Sequence, residues 1–99
     1  MKIETYLQQQ AEWSLRTFGA GTRAEGICKH IEKELGEIRK KPYDLVEWAD
    51  VMILALDGYW RAGGDPQHIM DVLEGKQQIN FRRKWPEPSG PDEPTEHVR

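Results

Sequence analysis

The chain has 99 residues, 37% hydrophobic and 31% charged, and its 14 Lys and Arg against 17 Asp and Glu give a net charge of -3. This length fits one domain with a thin core; no apolar run approaches the ~20 residues that cross a bilayer, and one cysteine excludes an internal disulfide framework. Glu87, Asp92, Glu93 and Glu96 against Arg99 account for the whole net charge, so residues 1–85 are neutral, which argues against nucleic-acid binding through a basic face.

Met1-Lys2-Ile3-Glu4 has no apolar signal core behind it, so no secretory leader is expected, and a lone thiol suits a reducing cytosol. Helical spacing then predicts a first helix from about Glu4 to Phe18, with Leu7, Ala11, Leu15 and Phe18 on its inner face. Gly19-Ala20-Gly21 ends it. Thr22 and Glu25 have the spacing of a capping box for a second helix carrying Ile27, Ile31, Leu35 and Ile38. That helix closes on Arg39-Lys40-Lys41-Pro42, cations at the negative end of the dipole followed by a breaker.

A third helix is predicted from Pro42–Asp44 to about Ala62. Its unbroken apolar run Val51–Leu56 implies burial on most of its circumference. Gly63-Gly64 stops it, and Asp65-Pro66 supplies an N-cap acid and a first-turn proline for a fourth helix with Ile69, Val72, Leu73 and Ile79 as its stripe. The expected fold is all-α, a four-helix bundle-type subunit spanning residues 1–85 that assembles as a homodimer or higher oligomer. Residues 86–99, rich in proline and acid, should form an extended or disordered tail, with Trp85 placed to anchor it.

The carboxylates are out of place. At 100° per residue Glu34 projects about 20° from Ile27, at the edge of the apolar stripe. On the third helix Glu47 and Asp50 sit one turn apart and share a sector with Leu54 and Asp57. Ionised carboxylates in apolar surroundings cost several kcal/mol unless a cation compensates them. Glu34-Leu35-Gly36-Glu37 and Glu47-Trp48-Ala49-Asp50 thus put one i, i+3 pair on each of two consecutive helices, which a tight turn at Lys41-Pro42-Tyr43 would make antiparallel. Such an oxygen cage suits a hard divalent ion, Mg²⁺ with Mn²⁺ as a substitute. A single such pair is common on solvated helix faces, and Glu47 near a helix start is also favourable for dipole reasons; two pairs on adjacent helices make the metal reading the stronger one.

These residues resemble the MazG-like, all-α nucleoside triphosphate pyrophosphohydrolase superfamily. Its metal motif, E-x-x-E on one helix and E-x-x-D on the next, is matched by Glu34/Glu37 and Glu47/Asp50. The stretches His30–Arg39, Asp50–Gly63 and Lys76–Pro86 resemble a small phage and bacterial branch described as dATP/dGTP diphosphohydrolase-like, and the likeness covers roughly residues 28–86. Nine residues separate Glu37 from Glu47, a shorter spacer than the superfamily's general pattern.

The resemblance implies Mg²⁺-dependent hydrolysis of a nucleoside triphosphate, with dATP and dGTP favoured, to the monophosphate and pyrophosphate. It also implies a cytoplasmic location, the host cytoplasm for a phage-encoded chain. Metal-activated water would attack the α-phosphorus, and any of Glu34, Glu37, Glu47 and Asp50 could take the proton. Lys76, Asn80 and Arg83 form one helical stripe suited to phosphate oxygens. Trp13, near Arg16, is a candidate wall for the base, as is Phe18, though a place in the core or a dimer interface is the more common role for such aromatics. His30 is a candidate partner of Glu34, whereas Trp48, Tyr59 and Trp60 read as packing and Cys28 as a small core residue. The alternative is a non-enzymatic helical adaptor that dimerises through its apolar faces and leaves these acids as surface charges.

Overall fold

The computed structural model describes residues 1–99 as four helices: α1 (Ile3–Phe18), α2 (Ala24–Lys40), α3 (Leu45–Arg61) and α4 (Ile69–Arg82), the last preceded by a 3-10 turn at Pro66–His68. Two compact units divide the chain, Met1–Ile69 and Met70–Arg99. The division falls at the start of α4.

In the first unit α2 and α3 form the most extensive pairing, and α1 packs on α3 and on the 3-10 turn. Four residues connect α2 to α3. Asp44 caps α3 by accepting from the backbone N–H of Val46 at 3.0 Å, and the Trp48 indole donates to the Pro42 carbonyl at 2.9 Å. The ring of Tyr59 lies over Gly64, where an added Cβ would run into it, and its hydroxyl donates to the Asp65 carbonyl. Asp65 in turn caps the 3-10 turn through Gln67 N–H at 2.9 Å.

The core differs from the expected one. Leu7, Ile27, Ile38 and Ile69 are its buried apolar members, and Gln10, Ser14, Asp57 and Arg61 are buried with them. On α1 the inner face runs Leu7, Gln10, Ser14, while Leu15 and Phe18 are about half exposed. The reason lies on α3: a buried guanidinium needs acceptors, so the polar edge of α1 turns inward to meet Arg61. Cys28 is exposed rather than buried. Nor is α3 enclosed on most sides, for Leu45, Val46, Trp48, Met52 and Ile53 all reach the surface of this single chain.

The expected capping box does not form. Arg23, not Thr22, holds the N-cap position of α2, in the left-handed region at φ 48° and with no side-chain cap. Gly19 and Gly21 also have positive φ in this turn, and their carbonyls both accept from Arg61. The turn is therefore shaped by its tie to α3.

In the second unit α4 continues through Gly75 without a break, and only its first residue, Ile69 of the first unit, is buried. The Trp85 indole donates to the Asn80 carbonyl at 2.9 Å, covering the open C-terminal end of α4. Residues 86–99 contain neither helix nor continuous strand. They turn at Gly90–Glu93 and come back, Val98 N–H reaching the Lys84 carbonyl at 2.7 Å and His97 meeting the Trp85 ring edge-on at 5.9 Å.

Candidate active site

Antiparallel packing of α2 and α3 brings Glu34, Glu47 and Asp50 together: each offers a carboxylate oxygen, all within 4.8 Å of one another. All three are part-buried. Glu37 stands outside that trio, with Lys40 at 3.9 Å. It still contributes to the field there. Partial burial, followed by the negative charges of Asp44, Asp50, Glu37 and Glu34, holds the Glu47 carboxyl above its ordinary 4.5. Neither Lys nor Arg pairs with the trio, and only His30 approaches it, its Nε2 lying 3.4 Å from Glu34 Oε1. Crowded carboxylates without a cation of their own, presenting oxygen alone, match the donor set of a hard divalent ion. The residues present fit such an ion.

From this trio a cleft of about 200 Å³ runs toward the α1–α2 turn, lined by residues of all three helices of the first unit. Glu34, Asp50 and His30 line it, as do Ile27, Ile53 and Leu54; Trp13, Phe18 and Arg23 border it too. Trp13 and Phe18 meet edge to face with centroids 5.5 Å apart. Arg16 is exposed and is not among the lining residues, whereas Arg23 is.

Asp57, Ser14 and Gln10 also line the cleft, and they are fixed from behind. Arg61 Nε donates to both Asp57 oxygens at 3.2 Å. Its Nη1 reaches the carbonyls of Gly19 (2.8 Å) and Gly21 (2.9 Å), and its Nη2 the Ser14 carbonyl (3.2 Å) and hydroxyl (3.0 Å). Trp60 Nε1 donates to Asp57 Oδ1 at 2.8 Å and to Gln10 Oε1 at 3.1 Å, while its ring lies under the guanidinium at 4.6 Å. Burial would raise the Asp57 carboxyl, but hydrogen bonds from Ser14, Gln10 and Arg61, with the charge of Arg61, outweigh it and hold the group below its ordinary 3.8.

Sequence reasoning missed this network by assigning Asp57 to the acidic sector and Trp60 to packing. The available signal was the i, i+4 spacing of Asp57 and Arg61 on an otherwise apolar helix.

Lys76, Asn80 and Arg83 belong to the second unit. Lys76 is exposed, and Arg83 Nη1 donates to Asn80 Oδ1 at 3.3 Å, so two members of the predicted stripe hold each other.

The fold is of the MazG-like class. The whole chain aligns, at TM-score 0.77 and 24% identity, with 95% of the MazG-like pyrophosphohydrolase of cyanophage S-2L, a protein bound to dGDP and three catalytic Mn²⁺ ions per active site. More particularly, residues 6–99 match the dATP/dGTP pyrophosphohydrolase family, and the chain belongs to that family. It is 38% identical over 96 residues to the Eaa protein of Salmonella phage P22, a match covering 97% of this chain and 30% of the phage protein. It is 43% identical over 74 residues to the dATP/dGTP diphosphohydrolase of Salmonella phage PMBT28, covering 74% and 24% of the two. The chain thus spans less than a third of either relative's length.

Proposed function

We propose that this chain hydrolyses purine deoxynucleoside triphosphates, dATP and dGTP, to the monophosphate and pyrophosphate in a Mg²⁺-dependent reaction. The observation that carries this reading is the convergence of Glu34, Glu47 and Asp50 at one end of a cleft bordered by Trp13 and Phe18. Membership of the dATP/dGTP pyrophosphohydrolase family supports it. So does the dGDP and Mn²⁺ held by the structural neighbour.

Glu34, Glu47 and Asp50 would hold the ions, with Glu37 adding negative charge nearby. When bound, such ions neutralise phosphate charge and make water acidic enough to act as a nucleophile near neutral pH. The carboxylates would also be the groups placed to take a proton from the water that attacks the α-phosphorus. The bond from the α-phosphorus to its bridging oxygen breaks, and pyrophosphate leaves. His30 orients Glu34. Trp13 and Phe18 offer aromatic surface to the base. Lys76, Asn80 and Arg83 are assigned to the phosphates.

We place the protein in the cytoplasm, that of the host for a phage-encoded chain, where the substrates are. No helix is long and apolar enough to cross a membrane. The exposed apolar side chains of α3, Met52 and Val46 among them, support self-association as a homodimer or higher oligomer.

The test is pyrophosphate release from dATP, dGTP, dCTP and dTTP with Mg²⁺ or Mn²⁺, and with a chelator. Release from the purine substrates that stops with chelator is expected. Equal inactivity towards all four, combined with no rise in melting temperature on adding metal, would favour the adaptor reading.

A further inference from the structure

We propose that Arg23 is a specificity-determining residue that reads the purine edge and makes guanine preferred over adenine. This rests on the nucleotide reading above and deepens it.

Arg23 is the only Arg or Lys among the residues lining the cleft. Its backbone is the only non-glycine one at positive φ, a conformation that costs an L-residue energy and tends to be kept where the side chain has a task. The residue is part-buried, and the ion pairs of the structure all involve other residues. Its guanidinium lies over the Phe18 ring, 4.9 Å from the centroid, and folds back along α2 so that a Cβ on Gly26 would sit 3.7 Å from Nη2.

That position is the level where a base would lie. Ile27 faces Gly58, where a Cβ would meet its Cγ2 at 3.9 Å, so the guanidinium stands near the level of Asp57. Asp57 follows Asp50 by two helical turns, about 10 Å along α3. An α-phosphate held at the trio therefore lays its base between Trp13, Phe18 and Arg23. The other polar groups there are already engaged. Asp57 accepts from Gln10, Ser14, Trp60 and Arg61, and the Gln10 carbonyl accepts from Trp60.

What remains is a planar group with donors only. Guanine offers it two adjacent acceptors, O6 and N7; adenine offers N7 beside an amino donor that would face the guanidinium donors. The geometry thus favours guanine.

Arg23→Gly removes the guanidinium while giving the turn a residue that adopts φ 48° freely, so its melting temperature should not fall. Steady-state kcat/KM for dGTP and dATP is measured alongside binding of dGMP and dAMP, followed by tryptophan fluorescence of the full chain. The wild type should favour guanine in both readouts by roughly tenfold, the discrimination of one bidentate arginine–guanine contact. Arg23→Gly should lose dGTP and dGMP preference with dATP and dAMP little changed. Arg23→Gln, whose amide pairs with N6 and N7 of adenine, should move the ratio toward adenine, and it decides the matter if the glycine variant does not fold.

An equal fall for both bases, or no guanine preference in the wild type, overturns the proposal. If the wild type hydrolyses neither triphosphate, the proposed activity falls, and the ratio of monophosphate affinities still decides the role of Arg23.

Discussion

Two acidic sites lie two turns apart on α3, and they are built on opposite terms. Asp57 carries its own cation: Arg61 is buried beside it, and every donor of that guanidinium has an acceptor. Glu47 and Asp50 join Glu34 with neither Lys nor Arg paired to them, and partial burial, followed by the negative charges around it, holds the Glu47 carboxyl above its ordinary 4.5. The first arrangement is complete in the folded chain. The second is complete only when something positive arrives from outside. A helix can thus keep carboxylates out of bulk water for two reasons, and the presence or absence of a built-in partner separates scaffold from site.

The comparison can be broken most forcefully at the scaffold. Arg61→Leu leaves Asp57 charged and buried without its cation, which costs about 3–5 kcal/mol and lowers the melting temperature by roughly 10 °C or more. Asp57→Leu combined with Arg61→Met should recover part of that loss, because the unpaired charge is gone. Calorimetry of the two variants checks both. At the other site, Asp50→Asn should leave the protein folded and cut kcat for dGTP by at least about 100-fold, no less than the loss from an outer-shell change at a metal site. Pyrophosphate release measures it.

Metal addition sharpens the contrast. Mg²⁺ or Mn²⁺ at a hundred times its dissociation constant should stabilise the wild type by about 2.7 kcal/mol. Glu34→Gln should abolish the rise in melting temperature. Arg23→Gly should keep it.

The smallest effect is the response to pH of the metal-free protein, and its sign differs between the sites. Asp57 has a lowered folded value, so its contribution is full above 3.8 and is lost as pH falls through that lowered value. Glu47 has a raised folded value, so its penalty is full at neutral pH, eases as pH falls through the raised value and is gone below 4.5. Glu47→Gln should therefore flatten a rise in stability on mild acidification, and Asp57→Asn a fall at stronger acidity. Denaturant midpoints across pH distinguish the two.

Much of this was readable from residue order. Helical spacing placed all four helices within a few residues, and Asp44 and Asp65 cap α3 and the 3-10 turn because a carboxylate just before a helical turn finds free N–H groups there. Glu34, Glu47 and Asp50 converge because a four-residue connection holds α2 and α3 antiparallel and side by side. The inward turn of Gln10 and Ser14 was hidden, since it answers to Arg61 some fifty residues away and no local pattern encodes that demand. Glu37 was placed with the trio by its motif, yet it lies outside it, beside Lys40. The return of Val98 to Lys84 is likewise a long-range pairing in a segment whose prolines suggest only extension.

The grip of Arg61 on the Gly19 and Gly21 carbonyls has a kinetic consequence. Helix α3 and the turn carrying Phe18 at one end and Arg23 at the other are joined into a single rigid piece, so that end of the cleft is already shaped before any nucleotide comes. Association should then follow one exponential whose rate rises linearly with ligand concentration, with no slower isomerisation behind it. Cutting the grip, as in Arg61→Leu, should bring such a phase into view.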